Sequence, residues 1–173
     1  MNMSTSEPQQ ANGLLTFDWP LRVYYEDTDA GGIVFYANYL KFFERARTEW
    51  LRACGIDQRA LAESDSVLFV VKRTALEYSA PARLDDVIHV MSRIERIGRA
   101  SVDFHQEAWR DGTLLASGDI KVASVSVGAI RPVGIPASVL DGLRRGPQKS
   151  VSSNASTMAM PAPFKSSCSE KPM

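Results

Sequence analysis

The stretch from Tyr24 to Arg52, YYEDTDAGGIVFYANYLKFFERARTEWLR, predicts how this chain begins to fold. It carries the carboxylate of Asp29 into a loop of small residues that includes Gly31 and Gly32. Glycine allows positive φ values and lets the backbone come close to a ligand. Apolar side chains then recur at helical spacing, at Tyr39, Phe42, Phe43, Ala46 and Trp50. The pattern predicts a tight loop that leads into a buried, amphipathic helix.

The flanking sequence predicts one helix among strands. The helix is expected from about Asn38 to Ala53, with Asn38 as its N-cap and Gly55 as its stop. A first strand is expected over Thr16 to Tyr25 and a short helical stretch over Gln58 to Glu63. Segments rich in β-branched and aromatic residues predict four more strands, over Val67 to Ser79, Val87 to Ile97, Ala100 to Arg110 and Thr113 to Val127.

Turn residues between these segments predict an antiparallel order. Gly98-Arg99 and Asp111-Gly112 are typical of short hairpin turns, and Pro81 with Asp85-Asp86 marks a further reversal. A terminal amphipathic helix is expected over Pro136 to Leu143. The fold class is therefore α+β, with one long central helix wrapped by a curved antiparallel sheet of about five strands.

Composition predicts one domain between two tails. Residues 15–145 hold most of the large apolar side chains and are long enough for a single core. Residues 1–14 are polar, and residues 146–173 are a low-complexity segment rich in Ser, Pro and Ala. Such segments bury too little apolar surface to offset the entropy of ordering, so both tails are predicted to be disordered.

Charge and residue usage exclude several classes of partner and cofactor. Twenty basic and twenty acidic residues cancel, so we expect no nucleic-acid partner. Cys54 and Cys168 have neither metal-ligand nor disulfide-framework spacing, and the two histidines form no ligand motif, so no metal is expected. No stretch predicts an integral membrane segment, and the N-terminus lacks the pattern of a signal peptide. The predicted location is the cytoplasm.

The loop and the start of the helix carry the chemistry. The first turn of a helix has unpaired N–H groups and a partial positive charge, which suit a thioester carbonyl or a developing oxyanion. Asp29 then serves as general base or as nucleophile. The alternative is that Asp29 only closes its own turn, as Asp before glycine often does. Glu26 and Asp27 are expected to face solvent or to cap a helix.

At these residues the chain resembles the hot-dog-fold thioesterases. The resemblance is closest to the tol-pal system-associated acyl-CoA thioesterases, called YbgC-like, and more distant to the 4-hydroxybenzoyl-CoA thioesterases. It covers roughly residues 17–143 and rests on the quoted stretch, on VVKRTALEYSAPARLDD and on RIGRAS. It implies that Asp29 is the catalytic carboxylate and that the backbone amide of Tyr36 binds the thioester carbonyl. Many YbgC-like proteins carry His where this chain has Tyr36, so only the backbone role is transferred.

The resemblance also implies where coenzyme A binds. Its phosphates need local donors, and Arg99 with Ser101 in the GRAS hairpin matches the segment that holds the nucleotide phosphates in 4-hydroxybenzoyl-CoA thioesterases. The alternative is an exposed, soluble turn. Gly31 and Gly32 are expected to contact substrate through their backbone. No cofactor is implied, because coenzyme A is part of the substrate.

The expected function is hydrolysis of an acyl-CoA thioester to a carboxylic acid and coenzyme A. The alternative is a non-catalytic module that binds acyl-CoA or acyl carrier protein near the envelope and phospholipid-synthesis machinery. A dehydratase on the same fold is disfavoured, because the loop lacks the histidine that this reaction needs. A homodimer at least is expected, since pairing removes an exposed sheet edge and these enzymes often form tetramers. The sequence leaves open the acyl class and the choice between anhydride and general-base routes.

Overall fold

The computed structural model describes residues 15–147, which form an α+β fold. The strands are β1 (Thr16–Arg22), β2 (Val67–Tyr78), β3 (Val87–Ile97), β4 (Ser101–Arg110) and β5 (Thr113–Ser126). The helices are α1 (Asn38–Ala53), α2 (Gln58–Ser64) and α3 (Ala137–Arg145), and a 3₁₀ turn covers Tyr25–Asp27. The predicted α+β class with five strands is confirmed. None of the helices within residues 15–147 is long and apolar enough to cross a membrane.

The strands form one antiparallel sheet in the order β1-β3-β4-β5-β2. The hairpin turn between β4 and β5 is confirmed, with positive φ values of 47° at Asp111 and 76° at Gly112. The reversal near Pro81 is not a hairpin, because β2 pairs with β5 and β3 pairs with β4. The connection from β2 to β3 therefore crosses the sheet. Within the described residues, β1 and β2 are its two edges.

The apolar face of α1 packs on the sheet, as its spacing predicted. Trp50 of α1 stacks on Phe17 of β1 at 5.9 Å and meets Phe104 of β4 edge to face at 6.0 Å. Gly118 of β5 gives the helix room, since a Cβ there would lie 3.1 Å from the Phe43 ring. The helix is thus fixed against the strands by large aromatic side chains, with little space between them.

The predicted bounds hold closely for most elements. α1 begins and ends where the sequence indicated, and Gly55 follows it with a φ of 75°. β1 ends at Arg22 rather than Tyr25, because the chain turns into the 3₁₀ helix there. The N-cap prediction is wrong: the cap residue is Ala37, with helical dihedrals and no side-chain hydrogen bond. The predicted tails, apart from residues 146–147, lie outside the described residues and stay predictions.

Candidate active site

The loop between β1 and α1 is closed like a small hairpin. The Phe35 amide donates to the Asp27 carbonyl at 2.8 Å, and the Asp29 amide donates to the Ile33 carbonyl at 3.0 Å. A second set of bonds ties the loop to the β2–β3 connection, where the Val34 amide donates to the Ala82 carbonyl at 2.8 Å. The loop that carries Asp29 is therefore held from two sides, so its backbone is preorganised.

Asp29 lies exposed at the tip of this loop and closes its own turn. Its Oδ1 accepts the Gly31 amide at 2.8 Å, while its carbonyl accepts the Gly32 amide at 3.0 Å. A Cβ on Gly31 would lie 3.0 Å from that Oδ1, and Gly32 has a φ of 70°. Both glycines are thus required by the turn itself. The Asp29 Oδ2 atom has no hydrogen-bond partner within residues 15–147 and faces solvent.

The start of α1 presents free backbone donors beside this loop. Two amides of the first helical turn are used: Asn38 donates to the Phe35 carbonyl at 2.8 Å, and Leu40 donates to the Ala37 carbonyl at 3.1 Å. The amide of Tyr36 has no acceptor among the residues that the structure describes. With the partial positive charge of a helix N-terminus behind it, this N–H suits a carbonyl oxygen that gains negative charge.

Aromatic side chains surround that amide. The Tyr36 ring is 63% exposed and lies 4.7 Å from Phe35 and 6.2 Å from Tyr78, centroid to centroid. The Tyr78 hydroxyl donates to the Tyr36 carbonyl at 3.1 Å. Burial raises the pKa of Tyr78, and the nearby Tyr36 acts in the same direction. The end of β2 is thereby joined to the start of α1.

Asp27 was not foreseen as part of this site. The expected exposure to solvent is wrong, because Asp27 is 3% exposed, but the expected role at a helix cap is confirmed, because its side chain accepts the N-cap amide of the 3₁₀ turn. Its Oδ2 accepts the Tyr24 amide at 2.9 Å, and its Oδ1 accepts the Asn38 side-chain amide at 3.4 Å. Asn38 therefore bonds across the loop instead of capping α1. The bond to Tyr24 is local, three residues back in the sequence, whereas the bond to Asn38 comes from the far end of the loop and has no local sign in the sequence.

The predicted phosphate site lies at the other end of the sheet. Arg99 is exposed in the β3–β4 turn, which is closed by the Gly98 amide donating to the Ser101 carbonyl at 2.7 Å. The Ile135 amide donates to the Arg99 carbonyl at 2.9 Å and fixes the turn. The loop that carries Asp29 meets the opposite end of β3, and an 11-residue strand spans roughly 35 Å. One protomer does not bring Arg99 and Ser101 to Asp29.

The histidines and the buried cysteine lie away from the loop. His89 pairs with Asp18 at 3.1 Å and His105 with Asp119 at 2.7 Å, both between neighbouring strands. Cys54 is a buried free thiol at the end of α1. Within residues 15–147 no three His, Cys, Asp or Glu side chains are arranged to hold a metal ion. The expectation of no metal stays a prediction.

Comparison with known proteins gives consistent matches over this region. Residues 23–143 match the family model of the thioesterase-like superfamily. The acyl-CoA thioesterase YbgC of Haemophilus influenzae is 45% identical over 123 residues, which cover 71% of this chain and 90% of that protein. The acyl-CoA thioester hydrolase YbgC of Escherichia coli O157:H7 is 43% identical over 72% of this chain and 92% of its own length. The crystal structure of a probable thioesterase from Bartonella henselae superposes with a TM-score of 0.67 at 32% identity, covering 70% of this chain and 99% of that one.

Proposed function

The chain belongs to the thioesterase-like superfamily and is an acyl-CoA thioesterase; on that premise we propose that Asp29 and the start of α1 together hydrolyse the thioester. The observation that carries the proposal is the pairing of an exposed carboxylate with a free helix N-terminal amide on one pinned loop. The relatives in Haemophilus influenzae and Escherichia coli, whose names state this activity, support it. We further propose that this is a hot-dog fold in which α1 is the central helix and the sheet curves around it.

Hydrolysis of a thioester needs only a carboxylate and a hydrogen-bond donor placed in this way. In the general-base route Asp29 takes a proton from water, the hydroxide adds to the thioester carbon, and the Tyr36 amide stabilises the resulting oxyanion. Collapse of this intermediate expels the coenzyme A thiolate, which is then protonated. General-base catalysis contributes about 10²–10⁴-fold and one oxyanion donor about 10²–10³-fold. Coenzyme A is a product, and the proposal requires no cofactor.

The nucleophilic route uses the same residues in another order. An oxygen of Asp29 attacks the thioester carbon, the thiolate leaves, and water then hydrolyses the mixed anhydride to release the acid. The exposed Oδ2 is the atom available for either route, since Oδ1 already accepts the Gly31 amide. Gly31 and Gly32 keep the backbone beside it free of side chains, which fits their proposed contact with substrate.

A complete site needs a second subunit in this proposal. Arg99 and Ser101 hold the phosphates best if they come from the partner, because in one protomer they lie at the far end of the sheet from Asp29. Pairing two β2 edges antiparallel sets the start of one β2, near the β3–β4 turn, against the end of the other, near the loop. A dimer is therefore the minimal enzyme, and assembly into a tetramer is a further proposal.

Mixing subunits tests this arrangement. In a shared site, combining an Asp29→Asn protein with an Arg99→Ala protein and allowing the subunits to exchange creates dimers with one intact site. Activity at low substrate concentration is then expected to rise above that of either parent. Activity that stays at the average of the two parents contradicts a site built from two subunits.

One observation favours the alternative of a binding module. Asp29 already closes its own turn through the Gly31 amide, so its presence has a structural explanation that needs no catalysis. Such a module takes up acyl-CoA or acyl carrier protein without releasing thiol. Under either function we also propose association with phospholipid-synthesis partners and a cytoplasmic location. The buried free thiol of Cys54 suits that location.

Thiol release separates the two functions. The purified protein is given short, long and aromatic acyl-CoA esters, and free coenzyme A is measured with a thiol reagent. The enzyme is expected to turn over at least one ester, and the panel then identifies the acyl class. Tight binding of the esters with no thiol release favours the binding module and contradicts the proposed hydrolysis.

A further inference from the structure

A small cleft of about 90 Å³, open to solvent on one side, lies beside α1 on the inner face of the sheet. Its walls are apolar and come from β2, β4, β5 and α3, through Phe69, Val71, Phe104, Val122 and Leu143. Polar atoms reach it from α1, chiefly from Glu44, Arg47 and Thr48.

Arg47 is a buried cation in this cleft without an anionic partner. It is 9% exposed, and its Nη1 donates to Gln106 Oε1 at 2.6 Å. No other hydrogen bond and no ion pair of its guanidinium occurs within residues 15–147. Burial lowers the pKa of Arg47 to about 10, so the group is still protonated at pH 7. A buried, unpaired charge is costly, which indicates that a ligand supplies its counter-charge.

The guanidinium is held in a fixed orientation. Gln106 is fully buried, and its Nε2 donates to Ser92 Oγ at 2.8 Å and to the Phe43 carbonyl at 3.0 Å. Its Oε1 is therefore directed at Arg47 by two bonds on its other end. Glu44 contributes the nearest negative charge from α1, but it is exposed and accepts the Thr48 hydroxyl at 2.8 Å. Solvent screens this carboxylate, so it neutralises Arg47 only weakly.

One side of α1 runs from the proposed carbonyl site toward this cleft. Leu40, Glu44 and Arg47 follow one another at spacings of four and three residues, which places them along one side of α1, and Tyr36 lies two residues before the first residue of that helix. Arg47 lies about 14 Å along the axis from the first residue of α1. Leu40 and Val71, 42% and 52% exposed, provide apolar surface between the two ends. An acyl chain whose carbonyl is bound at Tyr36 is thereby led to Arg47.

We propose that the cleft receives the far end of the acyl group and that Arg47 binds a carboxylate there, so the preferred substrates are coenzyme A esters of dicarboxylic acids. The inference rests on the proposed function, because it places the thioester at Asp29. A guanidinium pairs with a carboxylate through two parallel hydrogen bonds, which a methyl-ended chain cannot offer. The discrimination arises because the methyl-ended chain leaves the buried N–H groups unpaired.

The test compares two esters of equal chain length, one ending in a carboxylate and one in a methyl group. The wild-type protein is expected to favour the carboxylate-ended ester in kcat/KM by about tenfold or more. Arg47→Gln is expected to bring this ratio close to one while it still hydrolyses the methyl-ended ester. Arg45→Gln, which removes an exposed cation from the other side of α1, is the matched control and keeps the wild-type ratio. Equal rates for the two esters in the wild-type protein overturn the proposal.

A binding measurement on the wild-type protein is independent of hydrolysis and of how the variants fold. Isothermal titration with a free dicarboxylic acid and its monocarboxylic match is expected to show about tenfold tighter binding of the dicarboxylic acid. If it does while no ester is hydrolysed, the proposed hydrolysis fails and the substrate assignment fails with it, while the binding of a carboxylate by the cleft is supported. If esters are hydrolysed without preference and the two acids bind equally, the inference alone fails. Loss of the dimer in Arg47→Gln, measured by sedimentation, also overturns it, because Arg47 then pairs with the partner subunit.

Discussion

Replacing Asp27 with alanine is expected to destabilise the protein and to weaken catalysis together. The buried carboxylate accepts the Tyr24 amide at 2.9 Å and the Asn38 side chain at 3.4 Å. Hydrogen bonds to a charged acceptor are worth ~1.5–3 kcal/mol, and donors left unpaired in the interior add to that loss. Counting the shorter bond fully and the longer one only in part, we expect a decrease of about 3 kcal/mol in the free energy of unfolding. That corresponds to a Tm lower by about 10 °C for a domain of this size.

The assay pairs this variant with its exposed neighbour. Glu26→Ala removes a carboxylate from the next position and is expected to change the free energy of unfolding by less than about 0.5 kcal/mol. Urea unfolding gives both free energies, and thiol release on the folded variants gives kcat/KM. A decrease of about 10–100-fold in kcat/KM is expected for Asp27→Ala alone, because the loop that positions Asp29 loses its anchor. If Asp27→Ala is as stable and as active as Glu26→Ala, the buried carboxylate does not hold this loop.

Three further predictions concern the sheet and its two ends. Burial alone raises the pKa of Asp86, but hydrogen bonds from the Arg83 amide and the Arg110 guanidinium outweigh it and hold this pKa below its usual value. The stabilisation that these hydrogen bonds give is therefore present above about pH 4 and is lost as the pH falls through the lowered pKa. The urea midpoints of wild type and Asp86→Asn should therefore differ at pH 6 and converge toward pH 3. Gly118→Ala places a methyl group 2.3 Å from a Leu76 methyl carbon, so the free energy of unfolding measured in urea is expected to fall by about 1–3 kcal/mol. An unchanged free energy of unfolding means that the strands move apart freely. Arg99→Ala is expected to raise KM for acyl-CoA several-fold with kcat nearly unchanged and to reduce the dependence of KM on salt, whereas an unchanged KM means that the turn is only a soluble hairpin.

Local sequence patterns were sufficient to predict the features in which a single residue sets the backbone conformation. The helix from Asn38 followed from apolar spacing, and Gly55 ends it because it adopts the positive φ that the cap needs. Asp111 and Gly112 fixed the β4–β5 turn in the same way. These features depend on neighbours in sequence, so the sequence alone was enough to predict them.

Features that depend on distant partners were not predictable in this way. The sequence of β2 resembles those of the other strands, and no residue in it indicates that β2 pairs with β5. The burial of Asp27 depends on donors from both ends of the loop, and that of Arg47 on Gln106. Arg99 and Ser101 were expected to hold the phosphates of coenzyme A, and only the sheet order shows that one protomer places them at the far end of the sheet from Asp29. Such placements need the tertiary structure.

The central claim is that Asp29 performs the chemistry as well as closing its turn, and one variant separates these roles. Asp29→Asn keeps an oxygen that can accept the Gly31 amide, so the turn is retained while the basic and nucleophilic carboxylate is lost. Measured on the same preparation, kcat for thiol release is expected to fall by about 10²-fold or more, and the free energy of unfolding to stay within about 0.5 kcal/mol of wild type. A kcat that stays near the wild-type value would show that Asp29 is a turn residue and that the hydrolysis takes place elsewhere.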